Sequence, residues 1–152
     1  MEAKAIVQKM MGKDAFSQWM TIEVLEIKAG FCKLKATVLP EMVNGFNIAH
    51  GGISYSLSDS ALAFAANAHG KQCVSIETSI SHTRPAKIGD VLTATCTEMN
   101  RGRTIGIYQV LVTNQEDKTV ALFKGTVNIS DRDWEWFLSV IPTTYLNYKR
   151  SH

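Results

Sequence analysis

Two kinds of chemically useful group stand on one predicted helix. Gly51 and Gly52 lie where a loop meets the helix, and Asp59 lies further along it. Backbone N–H groups at a helix start are unpaired, and the helix dipole adds partial positive charge there. Glycine also lets another molecule approach that backbone closely. The two glycines therefore predict a site for an oxyanion, although a tight turn alone explains them equally well.

Asp59 is an unusual residue for its position. The eight residues that follow it are almost all apolar or small. Burying a carboxylate costs several kcal/mol unless it is paired, and such a cost often marks a functional group. The alternative is that Asp59 hydrogen-bonds neighbouring serines at positions 56, 58 and 60.

The spacing of these groups limits how they can cooperate. Gly51 and Asp59 are eight residues apart, which is about 12 Å along one helix. One carbonyl carbon cannot contact both. If both serve one site, Asp59 must come from a second chain whose helix runs antiparallel to the first. The pair therefore predicts a two-fold dimer with shared sites.

Other signatures of chemistry are weak. The segment 52–56 begins like a nucleophile elbow, but it lacks the second glycine, and Ser54 follows a loop and not a strand. The histidines at 50, 69, 82 and 152 show no ligand spacing, so we expect neither a metal nor a cofactor. The three cysteines form no CxxC pair, which indicates reduced, buried thiols in a cytoplasmic protein.

Composition predicts one globular domain that binds neither nucleic acid nor membranes. The chain has 152 residues, 45% of them hydrophobic and 20% charged. The net charge of +2 comes without a dense basic block, which argues against nucleic acid. We read no signal peptide, and the apolar stretch 61–66 is far shorter than the ~20 residues of a membrane span.

The residue pattern predicts one buried helix among strands. A helix at 3–11 is followed by a turn to Gln18 capped by Asp14, and a second, buried helix runs over 53–69 with Gly70 as its cap. Strands are expected at 21–28, 31–39, 72–84, 90–99, 104–113 and 119–129, the last four as an antiparallel meander. The expected core positions of the second strand are Phe31, Leu34, Ala36 and Val38.

These elements give an α+β fold. We divide the chain into an N-terminal helical segment (1–20), the main domain (21–130) and a tail (131–152) with a short helix at 131–140. The tail either packs on its own domain or covers a subunit interface. One helix covers one face of the sheet, so the other face or the sheet edge favours an oligomer.

The ordered motif set resembles a known family. Asn44, five intervening residues, His50-Gly51-Gly52 and then Asp59 resemble the hotdog-fold thioesterases of the PaaI type, especially the phenylacetate-degradation branch. The resemblance covers about 30–129. It continues through Val74-Ser75, Arg84-Pro85-Ala86, Gly89-Asp90, Asn100-Arg101-Gly102-Arg103-Thr104 and the run 120–125.

The resemblance implies a fold, an assembly and an activity. The fold is a curved antiparallel sheet wrapped around one long central helix. The assembly is at minimum a homodimer with a continuous sheet and shared active sites, usually a homotetramer built as a dimer of dimers. The activity is hydrolysis of an acyl-CoA, with an aryl-acetyl or related acyl group, to free acid and CoA. No metal or cofactor is implied.

The resemblance also implies roles for individual residues. The Gly51 N–H polarises the thioester carbonyl, Asn44 holds the carbonyl or the attacking water, and Asp59 of the partner subunit is the general base or nucleophile. Ser75 positions the water in some members, while His50 and Gly52 shape the loop beside the substrate. Basic groups should follow the phosphates of CoA, and the candidates are Arg84, Lys87, Arg101 and Arg103.

Two alternatives remain open. A hotdog hydratase or dehydratase needs a histidine paired with an acid near the substrate, and only His50 is close in sequence. A non-catalytic acyl-CoA binding protein has no need for Asn44, Gly51 and Asp59 together.

Overall fold

A computed structural model of the chain describes residues 1–135. Two short helices come first, α1 (Ala3–Lys13) and α2 (Ala15–Trp19). Strands β1 (Glu23–Lys28) and β2 (Phe31–Thr37) and a 3-10 turn (Pro40–Met42) lead to the long helix α3 (Gly51–Asn67). Four strands follow: β3 (Lys71–His82), β4 (Val91–Arg101), β5 (Ile105–Thr113) and β6 (Thr119–Asp133). Within residues 1–135 no helix is long and apolar enough to cross a membrane.

The six strands form one antiparallel sheet in the order β1-β2-β4-β5-β6-β3, and α3 packs against every strand. The predicted α+β arrangement, a curved sheet around one long helix, is confirmed. Small residues on α3 let the sheet approach it closely. A Cβ added at Gly125 of β6 would overlap the side chain of Leu62 on α3.

The predicted four-strand meander is correct only for β4, β5 and β6. Strand β3 lies at the far edge beside β6, and β4 pairs with β2. The connection 83–90 is longer than a hairpin turn. Two backbone hydrogen bonds of 2.8 Å hold this connection in place. The Ala49 N–H donates to Ala86 O, and the Gly89 N–H donates to Val38 O. The loop therefore carries the chain across the start of α3 to the opposite half of the sheet.

Element ends and core positions also differ from expectation. Helix α3 begins and ends two residues earlier than predicted, and Gly70 takes a left-handed φ of +104° just beyond it. Cys32, Leu34, Ala36 and Val38 are buried, whereas Phe31 faces the other side, where Lys28 Nζ lies 4.9 Å from its ring centre. Phe31 was therefore assigned to the wrong face.

The predicted terminal elements are only partly described. Asp14 caps α2 as predicted, since its side chain accepts the Ser17 N–H. Strand β6 runs to Asp133, so the predicted helix cannot begin at Asp131. The remainder of the predicted tail lies outside the described residues.

Candidate active site

The loop before α3 is organised by Asn44. Its Oδ1 accepts the N–H of Phe46 at 2.9 Å, and its backbone N–H donates to Ile48 O at 2.8 Å. This is the local turn that asparagine favours. The side-chain nitrogen of Asn44 has no partner within residues 1–135, and Asn44 lines a cavity. Its N–H groups are therefore available to a ligand carbonyl.

The start of α3 presents one N–H group and not two. His50 is the N-cap, and its Nδ1 accepts the Gly52 N–H at 2.9 Å. The Ile53 N–H donates to His50 O at 2.9 Å. The Gly51 N–H has no partner within residues 1–135, and it lies at the positive end of the helix dipole. Gly52 is therefore used to shape the turn, and Gly51 is the donor that remains.

A cavity of about 470 Å³ opens over this helix start. Asn44 and Gly51 share it with an apolar set of residues, and Arg84 lies at the same cavity. The apolar lining consists of Ile48, Ala49, Pro85, Ala86, Leu92 and Val120. Two convergent N–H donors beside an apolar wall suit a carbonyl that gains negative charge during attack.

Asp59 lies at a different cavity, of about 240 Å³, together with Ser75. The two cavities share no lining residue. The carboxylate of Asp59 makes no hydrogen bond within residues 1–135, so the alternative in which it pairs with neighbouring serines is wrong. Ser58 Oγ instead donates to Ser54 O at 2.8 Å, and Ser60 Oγ lies 3.0 Å from Ser17 Oγ. Asp59 is thus a half-buried carboxylate directed at a cavity.

The surroundings of Asp59 favour its protonated form. Burial raises the pKa of this carboxyl above its ordinary value, and the charge of Asp14 raises it further. Asp14 accepts hydrogen bonds from both the N–H and the Oγ of Ser17, at 2.9 and 2.6 Å. Ser17 Oγ in turn lies 3.0 Å from Ser60 Oγ on α3, which fixes Asp14 close to that helix. A raised pKa makes Asp59 a stronger base once it is ionised, which suits proton abstraction.

The four predicted phosphate-binding residues lie in two separate groups. Arg84 lines the Gly51 cavity, and Lys87 follows in the same loop, its N–H bound to Asp90 Oδ2 at 2.8 Å. Arg101 lies at the opposite end of β4, where Nη1 donates to Tyr108 OH at 3.2 Å. Burial raises the pKa of Cys73, which lines the Asp59 cavity, and the nearby charge of Arg101 opposes that rise. Arg103 follows in the exposed turn after β4.

His82 is a site residue that the sequence reasoning missed. It ends β3 and lines the Gly51 cavity, with Nδ1 3.2 Å from Ser54 Oγ. Its position just before Arg84-Pro85 was the available signal. No acidic side chain within residues 1–135 contacts it. The histidine–acid pair of the described region is His69 and Glu98, 2.7 Å apart, and it lies beyond the other end of α3.

Comparison with known proteins identifies the family. The thioesterase superfamily model matches residues 46–121. The chain is 38% identical to the acyl-coenzyme A thioesterase PaaI of Escherichia coli over 116 residues, 76% of this chain and 83% of that one. The chain belongs to the thioesterase superfamily, which confirms the predicted PaaI-type relationship and the thioester hydrolase class.

Solved structures confirm the predicted hotdog fold. The E. coli PaaI protein from the phenylacetic acid degradation operon superposes with a TM-score of 0.84 at 34% identity, over 86% of this chain and 95% of that one. A hypothetical thioesterase from Streptococcus pneumoniae, solved with coenzyme A, gives a TM-score of 0.78 at 26% identity, over 83% and 98% of the two chains.

Proposed function

We propose that this protein hydrolyses acyl-CoA thioesters at sites shared between two subunits. The observation that carries the proposal is the division of the machinery between two cavities on one helix. Gly51 and Asn44 offer N–H donors without a base, and Asp59 offers a base without donors. Each half is chemically incomplete, and a two-fold axis that brings two α3 helices together antiparallel completes both.

The edge strand β3 supports this assembly. It is the outer strand of the sheet beside β6, and its Val74 and Ile76 side chains are 67% and 57% exposed. An unpaired apolar edge is a surface on which a second strand adds. Val74 and Ser75 also line the Asp59 cavity, so the Asp59 half-site opens beside this edge. Pairing of β3 with its copy places Asp59 of the partner subunit against the Gly51 cavity.

A second association builds a tetramer from two dimers. Leu111 and Leu122 are cross-strand neighbours on β5 and β6, and they are 40% and 51% exposed. They line a shallow cavity on the outer face of the sheet, which α3 does not cover. Burial of this apolar pair against a second dimer gives the homotetramer.

The proposed reaction is addition of water to the thioester carbonyl. Asp59 of the partner subunit takes a proton from water held by Ser75, and the oxygen attacks the carbonyl carbon. The negative charge that forms on the carbonyl oxygen is stabilised by the N–H groups of Gly51 and Asn44. The C–S bond then breaks, the electron pair leaves with sulfur as CoA thiolate, and the free acid remains.

The basic residues follow the CoA moiety from both subunits. Arg84 and Lys87 lie at the Gly51 end of one chain, while Arg101 and Arg103 lie at the Asp59 end. Antiparallel pairing of the subunits brings opposite ends together. The two groups, separate within one chain, then flank one shared site and contact the phosphates.

The acyl group is aryl-acetyl or closely related. The apolar lining of the Gly51 cavity suits a ring, and the E. coli relative comes from the phenylacetic acid degradation operon.

The three cysteines are buried and free, which fits a location in the reducing cytoplasm.

Thiol release from a panel of acyl-CoAs tests the function. We expect turnover with preference for aryl-acetyl-CoA. Saturable binding of these compounds without thiol release would instead identify a binding protein.

A further inference from the structure

His82 forms one side of the Gly51 cavity and has no role in the chemistry proposed above. Its Nδ1 lies 3.2 Å from Ser54 Oγ in the first turn of α3. Its Nε2 lies 3.1 Å from the position that a Cβ on Gly51 would occupy. The imidazole therefore stands directly beside the N–H group that holds the thioester carbonyl, close enough to contact other atoms of the same substrate.

The contacts around Ser54 favour one tautomer of His82, the one that satisfies both of them. Ser54 is buried, and its Oγ also lies 3.3 Å from Gly51 O. A carbonyl oxygen accepts only, so both contacts are hydrogen bonds when the single hydroxyl proton of Ser54 is donated to Gly51 O. In this arrangement Ser54 Oγ accepts from His82, and the ring proton is on Nδ1. Nε2 is left as an acceptor with no partner among residues 1–135.

An acceptor at this position excludes two roles. A lone pair on Nε2 repels a phosphate and repels an oxyanion, so an Nε2 acceptor assists neither. The group that it fits is a neutral hydrogen-bond donor on the substrate, a few ångströms from the thioester.

We propose that His82 is a substrate-positioning residue whose Nε2 accepts a hydrogen bond from the amide N–H nearest the thioester sulfur of CoA. That amide lies two methylene groups from the sulfur, and it is the nearest N–H donor of the pantetheine arm. The proposal rests on the proposed acyl-CoA substrate. Gly51 and His82 then hold the carbonyl and the leaving group from adjacent positions, while Ser54 fixes the orientation of the ring.

Two small thioesters isolate this hydrogen bond. An aryl-acetyl thioester of N-acetylcysteamine keeps the amide N–H, and the corresponding thioester of 2-mercaptoethyl acetate replaces that N–H with oxygen at nearly the same size. Thiol release reports cleavage of the C–S bond in both. We expect the natural enzyme to favour the amide in kcat/KM by about threefold to tenfold, as for one neutral hydrogen bond.

Two matched variants separate the two ring nitrogens. In His82→Asn the amide replaces Nδ1, so the bond to Ser54 is kept while the acceptor at Nε2 is lost. In His82→Gln the amide oxygen reaches the Nε2 position. We expect His82→Asn to hydrolyse both thioesters at similar rates, with KM for the amide raised more than kcat is lowered. His82→Gln should restore part of the preference, and Ser54→Ala should weaken it.

Equal rates on the two thioesters by the natural enzyme would overturn the proposal, even if a variant failed to fold. An unreduced preference in folded His82→Asn would also overturn it. If no CoA thioester is hydrolysed at all, the proposed function fails and this inference fails with it. Turnover of CoA thioesters without an amide preference removes only the role of His82.

Discussion

Gly51 and Asp59 lie eight residues apart on α3, and they line two cavities that have no residue in common. The helical rise between them is about 12 Å, which is too far for one reacting carbon. Two donors lie in one cavity, and the base lies in the other. Under the proposed function, this separation means that a single copy of the chain holds two half-sites and no complete one.

Removing the charge of Asp14 should shift the pH dependence of activity. Burial and, beyond it, the charge of Asp14 raise the pKa of Asp59, whose ionised form is the proposed base. Asp14→Asn keeps a good helix cap but should lower that pKa, so the acid limb of the kcat/KM profile moves to lower pH. The shift should shrink in 1 M salt, where charges are screened.

Asp117→Asn is the matched control for this prediction. It removes the same charge at a turn where the backbone has a φ of +57°, a conformation that asparagine tolerates well. Asp117 does not contribute to the shift of Asp59, so its variant should leave the acid limb in place. Equal shifts in both variants would show a general effect of net charge and contradict the prediction.

The same raised pKa makes Asp59 costly for stability. The folded state binds the Asp59 proton more tightly than the unfolded chain does, so ionisation of the group at neutral pH favours unfolding. Asp59→Asn should therefore raise Tm at pH 8, by about 2–4 °C for each kcal/mol gained. The gain in Tm should disappear below the pKa that Asp59 has in the unfolded chain, because its carboxyl is then protonated in both the folded and the unfolded state. Calorimetry at equal protein concentration across pH measures this, and a gain independent of pH would count against it.

Gly125 tests the close contact between the sheet and α3. Glycine to alanine in a strand usually stabilises through the unfolded state. Here the new Cβ would overlap Leu62, so Gly125→Ala should lower the free energy of unfolding by about 1–3 kcal/mol. Leu62→Val in the same chain should recover part of the loss. Denaturant titrations measure the free energy of unfolding of each variant. If the effects of Gly125→Ala and Leu62→Val on that free energy simply add, the predicted overlap is contradicted.

Local patterns predicted the elements well, and tertiary pairing was where prediction failed. The turn residues and the alternating β-branched positions define each strand, but nothing local states that β3 pairs with β6 and not with β4. The loop 83–90 decides this through bonds to Val38 and Ala49, which are distant in sequence. Phe31 was misassigned because a shift of one residue in a strand exchanges its two faces.

The same limit applies to the candidate site. Gly51, Asn44 and Asp59 belong to one contiguous segment, so their residue types and spacing indicated the two half-sites. His82 enters the Gly51 cavity only through the pairing of β3, which a sequence alone does not give. Gly52 could not be separated from Gly51 until the N-cap bond to His50 was visible.

The measurement that tests the shared site most directly is complementation between two inactive variants. Asp59→Asn removes the proposed base, and Gly51→Pro removes the donor N–H at the first helical position, where the backbone accepts proline and the His82 ring must shift by a few tenths of an ångström to admit its Cβ. Each variant alone should lose about 10²- to 10⁴-fold in kcat. A heterodimer of the two contains one intact site and one doubly altered site.

The two chains should therefore be co-expressed with different tags, dissociated to dimers and purified through both tags as dimers, because a tetramer of two different homodimers also carries both tags. The isolated heterodimer should recover about half of the natural activity per dimer, because one of its two sites is whole. Each homodimer, prepared in the same way, should stay inactive. A purified heterodimer as inactive as the parent variants would contradict an active site built from Gly51 of one subunit and Asp59 of the other.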